Sequence, residues 1–246
     1  MKVVCTIEAR MGSTRLPGKM LKDLHEGRST LEVMVDRVRQ AVTPDEIVVA
    51  TSTEPGDDAI QAEAEELGVS CYRGSETDVL SRVLEAGQAH DADVICETTG
   101  DCPLHDPAII DQVCASYLDS PDADYVSNVL ARRWPNGFDV EVFGIETLQQ
   151  VANVTSDPKH REHVTTYIRA NPEEFTTFNV SPPPRLHDLS KRVTLDYPED
   201  LELIRAVLAE LYPENPEFDA YDVVVLLDDR PDIHAINEKH LEFEDQ

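Results

Sequence analysis

The run Ala9-Arg10-Met11-Gly12-Ser13-Thr14-Arg15-Leu16-Pro17-Gly18-Lys19 concentrates groups that grip anions. Arg10, Arg15 and Lys19 put three cations within ten residues, and Ser13 and Thr14 add hydroxyl donors. Gly12 and Gly18 let backbone N–H groups come close to an anion. An arginine fork binds two phosphate oxygens at once, and lysine supplies a compact charge. The set suits a triphosphate. Met20 follows Lys19, so this is not the G-x-x-x-x-G-K-[ST] phosphate loop, and the G-x-G-x-x-G dinucleotide pattern is absent as well. A basic surface loop that neutralises neighbouring acid is the competing reading. The glycine punctuation and the position directly after a strand-like run weigh against it.

Two carboxylates stand at comparable places. Asp101, in Thr99-Gly100-Asp101-Cys102-Pro103, follows the apolar run at residues 93–98. Asp196, in Val193-Thr194-Leu195-Asp196-Tyr197-Pro198, precedes a helical pattern. Magnesium prefers hard oxygen ligands and commonly takes one or two carboxylates plus substrate phosphates. A plain turn would equally account for Asp101, and a helix N-cap for Asp196. Glu199 and Asp200 suit the first turn of the following helix through its dipole. Elsewhere, Arg73-Gly74-Ser75 follows a short strand and Asp78 opens a helix. Asn128 ends a strand-like run. Asp139 and Glu141 alternate with Val140 and Val142, so their carboxylates share one face. Arg161-Glu162-His163 begins a helical stretch, where a cation could bind an acidic sugar.

These residues resemble a known family. The pattern A-R-x-G-S-x-R-L-P-G-K-x-L of sugar cytidylyltransferases is matched at every fixed position from Ala9 to Leu21. That group includes the Kdo and acylneuraminate cytidylyltransferases and a branch named after a spore-coat polysaccharide biosynthesis protein. The likeness to the Kdo enzymes weakens after about Asp124, whereas the spore-coat branch fits nearly the whole chain. The resemblance implies that Arg10, Ser13, Arg15 and Lys19 contact the phosphates of CTP, with Ala9 and Gly12 in the same cradle. It implies that Asp101 and Asp196 hold Mg2+, and that Arg73, Ser75 and Asp78 lie by the base and ribose. Asn128, Asp139, Glu141, Arg161, Glu162 and His163 are the expected acceptor side. The implied reaction transfers a cytidylyl group from CTP to a sugar, either a 2-ulosonic acid or a sugar phosphate. Arg10, Arg15, Lys19 and Asp101 are the expected catalytic residues, and the enzymes of this group imply a homodimer.

The elements that must position these residues follow from periodicity. Residues 3–8, 46–51, 69–72 and 93–98 read as strands; residues 30–41, 57–67, 78–90 and 107–118 read as helices. This alternation predicts a mostly parallel, doubly wound sheet, in which ligands bind beyond the carboxyl ends of strands. The resemblance makes it the Rossmann-like sheet of nucleotide-diphospho-sugar transferases. The second half is more mixed. Strands are expected at 138–143, 175–180 and 192–195, and helices at 145–154, 161–170, 198–211 and 219–227. One domain over 1–246 is expected, with a nucleotide-binding half (1–125), an acceptor and dimerisation half (126–235) and an acidic tail (238–246) that frays.

Forty-nine acidic residues against 21 basic ones give a net charge of −28. Nucleic acid and anionic membrane surfaces are therefore disfavoured as partners. The acid is dispersed, as at Glu63, Glu65 and Glu66 or Asp119, Asp122 and Asp124, which reads as a solvated surface and fits a high-salt habitat. The five cysteines, Cys5, Cys71, Cys96, Cys102 and Cys114, form no C-x-x-C pair and read as small buried residues. No signal-peptide pattern and no span-length apolar run occur, so a cytoplasmic location is expected. Three rival readings are a glycosyltransferase, a catalytically silent nucleotide-binding subunit and a nucleotidyltransferase that uses another base, since Arg10, Arg15 and Lys19 would serve any triphosphate. The R-L-P-G-K loop argues against the first, and the presence of both Asp101 and Asp196 against the second.

Overall fold

The computed structural model describes residues 1–241. Its strands are β1 (Val3–Glu8), β2 (Asp23–His25), β3 (Arg28–Ser29), β4 (Glu46–Ser52), β5 (Ser70–Gly74), β6 (Val94–Thr99), β7 (Tyr125–Ser127), β8 (Glu141–Gly144) and β9 (Thr177–Asn179). Its helices are α1 (Thr30–Val38), α2 (Asp58–Glu66), α3 (Val79–Ala89), α4 (Pro107–Leu118), α5 (Ile145–Val154), α6 (Pro158–Glu162), α7 (Thr166–Ala170), α8 (Pro198–Leu211), α9 (Ala220–Asp229) and α10 (Pro231–His234). Seven strands form one sheet in the order β5-β4-β1-β6-β8-β7-β9, while β2 and β3 make a separate hairpin. β1, β4, β5 and β6 pair in parallel, β8 runs antiparallel between β6 and β7, and β9 adds in parallel to β7. The expected α/β sheet is present, mostly parallel, with helices on both faces.

Side-chain alternation along β1 explains the two cores. Val3, Cys5 and Ile7 point to one face, where they join Leu31 and Met34 of α1, Val113 of α4 and Ile204 of α8. Val4 points to the other, with Leu80 and Val83 of α3, Ile95 of β6, Phe143 of β8 and Leu148 of α5. Full burial of each such side chain is worth roughly 1.5–3 kcal/mol relative to exposure. All five cysteines are free, and Cys5, Cys96, Cys102 and Cys114 are buried. No helix among the described residues is long and apolar enough to cross a membrane.

The chain leaves β1 toward β4 and β5 on one side and reaches β6 on the other, so strand order reverses between β1 and β6. Crevices at such reversals are where open α/β sheets bind ligands. Register aligns Glu8 of β1 with Thr99 of β6, so the loop after Glu8 and the turn after Thr99 emerge side by side. A Cβ on Gly100 would lie 2.3 Å from the Glu8 carbonyl oxygen, so this contact requires glycine.

Four expectations change in the second half. Residues 161–170 are not one helix: α6 ends at Glu162, and His163 takes φ −115°, ψ 92°. The break lets the buried Thr165 hydroxyl reach Glu141, at 2.6 Å. The strand expected at 138–143 begins only at Glu141, because the Asn128 side chain bonds both Phe138 O (2.7 Å) and Val140 N (2.8 Å) in place of a ladder. Residues 192–195 lie beside loops and join no sheet. They make a single bridge between Arg192 and Asn136 and a bond from Leu195 N to Asp101 O of 2.7 Å. The tail expected to fray from 238 instead forms a short 3-10 turn, Glu238–His240. Lys239 and His240 hold it to Glu199 at 2.6 and 3.0 Å. Glu242, Glu244 and Asp245 lie outside the described residues.

Candidate active site

The loop after β1 closes on itself. Met11 O accepts from Ser13 N (2.9 Å) and Gly18 N (3.1 Å), and Ser13 Oγ accepts from Leu16 N (3.2 Å). Gly18 takes φ 68°, a left-handed conformation that glycine tolerates without strain. Met11 N donates to Asp57 Oδ1 at 2.7 Å, which tethers the loop to the end of β4. The loop lines a cavity of about 430 Å³ with Arg10, Gly12, Ser13, Arg15 and Lys19, opposite Glu8, Arg82, Asp101, His163 and Asp196.

A second cavity, about 680 Å³, opens on the other side of the same carboxylates. Arg132, Trp134, Asn136, Asp139, Arg192, Thr194, Tyr197 and His240 line it. Arg15, Thr99, Asp101 and Asp196 belong to both cavities. The wall between the two is thus made of two carboxylates, one hydroxyl and one guanidinium.

Asp196 does not cap α8; Tyr197 stands at that N-cap position. Its carboxylate instead meets Arg15 at 2.9 Å and Lys19 at 3.3 Å through Oδ1, and Arg192 at 3.1 Å through Oδ2. Burial alone would raise its pKa, but Lys19, Arg15 and Arg192 together hold it below the ordinary carboxylate range. Asp200, fully buried, accepts from the backbone N–H groups of Asp196 (2.9 Å) and Tyr197 (3.0 Å), so it pins the Asp196 main chain. Lys19 also donates to Leu195 O at 2.9 Å. Asp101 Oδ1 accepts from Thr99 Oγ1 at 2.5 Å. Asp139 faces the second cavity and pairs with Arg132 at 3.3 Å. Burial lifts its carboxyl to about 6 against the pull of Arg132, with Asp101 and Glu141 adding to the rise.

The donor set can be tested against a metal. Among the described residues no group of three His, Cys, Asp or Glu side chains could hold one. Zinc, which requires three or four protein ligands, is a poor fit. Two hard carboxylates on a wall between two cavities, completed by phosphate oxygens and water, suit magnesium.

The other expected site residues divide into two groups. Glu162 and His163 line the loop cavity, not the second one, and Glu162 pairs with Arg10 at 3.6 Å. Arg161 clamps α6 to α3: its Nε meets Asp78 Oδ2 at 3.0 Å and its NH1 donates to Ala152 O at 3.1 Å. Asp78 caps α3 through Ser81 N (3.0 Å), and Ser75 Oγ accepts from Asp78 N at 3.0 Å. Arg73 binds Ser52 O (2.8 Å), Asp58 (2.6 Å) and Glu54 O (2.9 Å) on the outer side of β5. Asn128 holds the 138–140 loop, and Glu141 accepts from Tyr125 Oη and Thr165. Glu8, Arg82, Arg132, Trp134, Arg192, Tyr197 and His240 line the cavities without having been singled out. For Glu8, the position just before Ala9 was a usable signal. The rest carry no local pattern.

The family model described as cytidylyltransferase matches residues 4–221. The chain belongs to the cytidylyltransferase family. This cytidylyltransferase is 35% identical over 236 residues to the Bacillus subtilis spore coat polysaccharide biosynthesis protein SpsF, covering 94% of this chain and 95% of that one. It is 36% identical over 122 residues to the 3-deoxy-manno-octulosonate cytidylyltransferase of Trichlorobacter lovleyi, covering 49% of this chain and 47% of that one. A solved cytidylyltransferase from Leptospira borgpetersenii superposes with a TM-score of 0.89 at 32% identity, over 95% of this chain and 96% of that one.

Proposed function

We propose that this cytidylyltransferase moves a cytidylyl group from CTP to a sugar, with Mg2+, and releases pyrophosphate. The product is a CMP- or CDP-activated sugar for surface polysaccharide or glycan synthesis, and the working unit is a homodimer. The observation that carries the reading is the wall shared by the two cavities, where Asp101 and Asp196 stand between the cationic loop and the Arg132–Asp139 side.

In this reading the loop cavity holds CTP and the second cavity holds the sugar, a 2-ulosonic acid or a sugar phosphate. Asp101 and Asp196 would hold Mg2+, which when bound offsets charge on the phosphates. Arg10, Gly12 and Ser13 line the triphosphate, and Arg15 and Lys19 draw off negative charge as it gathers on the departing pyrophosphate. A sugar oxygen attacks the α-phosphorus, and the bond to the β-phosphate oxygen breaks on the opposite side. Arg132 and Arg192 offer cations to a carboxylate or phosphate on the sugar, and Asp139 offers an acceptor to a sugar hydroxyl. Asp200 and Thr99 keep the two metal carboxylates oriented. Positioning and charge do the work, without a covalent enzyme intermediate.

The test is pyrophosphate release from each of the four NTPs with magnesium, against a panel of sugar acids and sugar phosphates. Release that requires CTP and one class of acceptor, and that Asp101→Ala abolishes, is the expected result. CTP binding without release from any pair would move a nucleotide-binding subunit ahead.

A further inference from the structure

The floor of the nucleotide cavity carries polar atoms that nothing in the protein satisfies. Glu8 Oε1, Arg82 Nε and Glu97 Oε2 are buried without a hydrogen-bond partner. Arg82 is 1% exposed and Glu97 4%. Glu8 and Arg82 both line the cavity. A buried polar group left unpaired costs about 1–3 kcal/mol, so a ligand in the cavity that completes Glu8 Oε1 and Arg82 Nε is favoured over one that does not.

Each group is held in place. Arg82 NH1 donates to Ser75 O at 2.7 Å and Glu76 O at 3.3 Å, which fixes the guanidinium plane. The absence of a side chain at Gly74 makes room for it, since a Cβ there would lie 3.0 Å from Arg82 Cγ. Burial lowers the Arg82 pKa against the attraction of Glu8, and both side chains line the same cavity. Glu97 sits two residues before Thr99 on β6 and pairs in register with Thr6, two residues before Glu8 on β1. Burial and then a hydrogen bond with Glu8 push the Glu97 pKa well up. Ala9 and Val79, also lining the cavity, offer apolar surface to the face of a flat ring.

A donor and an acceptor lining one cavity, both without partners in the protein, can read a pyrimidine edge. Cytosine presents N3 and O2 as acceptors and its 4-amino group as donor. Uracil presents N3–H as donor and O4 as acceptor. Arg82 donates and Glu8 accepts, which complements cytosine. Against uracil the same pair would set O4 against a carboxylate oxygen and N3–H against a guanidinium.

We propose that Glu8 and Arg82, backed by Glu97, read the base edge and select cytosine over uracil. This rests on the reading of the loop cavity as the nucleotide site. The base-side residues expected from the sequence, Arg73, Ser75 and Asp78, then act one step back: Ser75 and Gly74 hold Arg82, and Asp78 anchors the start of its helix.

Equilibrium titration with CTP, with UTP and with the CTP analogue carrying hydrogen in place of the 4-amino group tests this on the unaltered enzyme. CTP is expected to bind at least about tenfold more tightly than either, an energy of about 1.4 kcal/mol. Glu8→Gln, whose amide can donate to O4, is expected to shrink the CTP-to-UTP ratio by at least about tenfold, while Glu97→Gln keeps it. Equal binding of CTP and the deaminated analogue by the unaltered enzyme would overturn the proposal alone. So would an unchanged ratio in a folded Glu8→Gln variant. If the unaltered enzyme binds no nucleotide, the nucleotide-site reading falls and this one with it.

Discussion

The two cavities meet at Asp101 and Asp196 yet are built in opposite ways. The loop cavity draws most of its lining from one stretch, residues 8–20, whose turns are closed by its own bonds such as Gly18 N to Met11 O at 3.1 Å. The second cavity takes residues from near 102, from 129–139, from 189–197 and from His240. It is tied by long-range contacts. Arg15 meets Asp196, Leu195 N meets Asp101 O, and the His240 ring stacks on Tyr197 at 3.9 Å. A site made by one loop can be preserved as a short motif. A site made by four segments can be altered piece by piece without disturbing the motif.

The sharpest way to break this division is to remove a cation from each side. Arg15→Ala or Lys19→Ala is expected to cut kcat/KM for CTP by about 10²–10³-fold, since each removes a charge-stabilising group. Arg132→Ala is expected to raise KM for the acceptor by about tenfold or more and leave KM for CTP within about threefold. Equal effects of Arg132→Ala on both substrates, in steady-state kinetics, would mean that the cavities do not divide the labour.

A second, smaller effect comes from Asp139. Its carboxyl titrates at about 6 in the folded chain, against an ordinary value of 3.8. Raising the pH from about 4 through 6 forces a charge onto a group that the fold holds more readily neutral. The unfolded chain carries that charge freely, so stability falls across this window. Asp139→Asn removes the penalty. Urea unfolding should find the variant more stable by on the order of 1–2 kcal/mol at pH 8 and equal at pH 4. A loss of stability at pH 8 would mean that the Arg132 pairing outweighs the burial.

The smallest effect per site concerns the surface outside both cavities. Forty-nine acidic residues against 21 basic ones repel one another in dilute buffer. Molar KCl screens that repulsion, with a Debye length of about 3 Å, and should raise the unfolding midpoint. The same salt should weaken CTP binding at the cationic loop more than it weakens a largely apolar contact such as the Tyr197–His240 stack. A midpoint that does not move with KCl would remove the case for a high-salt surface.

Much of this was legible in the linear chain. Alternating strand and helix patterns in residues 1–118 led to the parallel sheet, because local periodicity and burial agree there. The loop from Ala9 to Lys19 and the carboxylates Asp101 and Asp196 were readable because each follows or precedes a recognisable element. Arg161 lines neither cavity and pairs with Asp78, 83 residues away; a cation at a helix start looks the same in the chain whether it meets a substrate or another helix. Asn128 likewise reads as a site residue until its amide is seen to clamp Phe138 and Val140. Arg82 was invisible, since a charged residue inside an amphipathic helix reads as solvent-facing.

By itself, then, the order of residues determined most of the first-half elements, the cationic loop and the chemical type of the two shared carboxylates. These depend on interactions within a few residues, where spacing and side-chain type act directly. Only the tertiary structure decided that Asp196 lies against Arg15 and Lys19, that Arg132 and Asp139 line a second chamber, and that Arg82 lines the same cavity as Glu8. Asp196 and Arg15 stand nearly two hundred positions apart in the chain. The two cavities are brought together by the parallel pairing of β1 with β6 and by the return of residues 192–197 past Asp101, which no local pattern encodes.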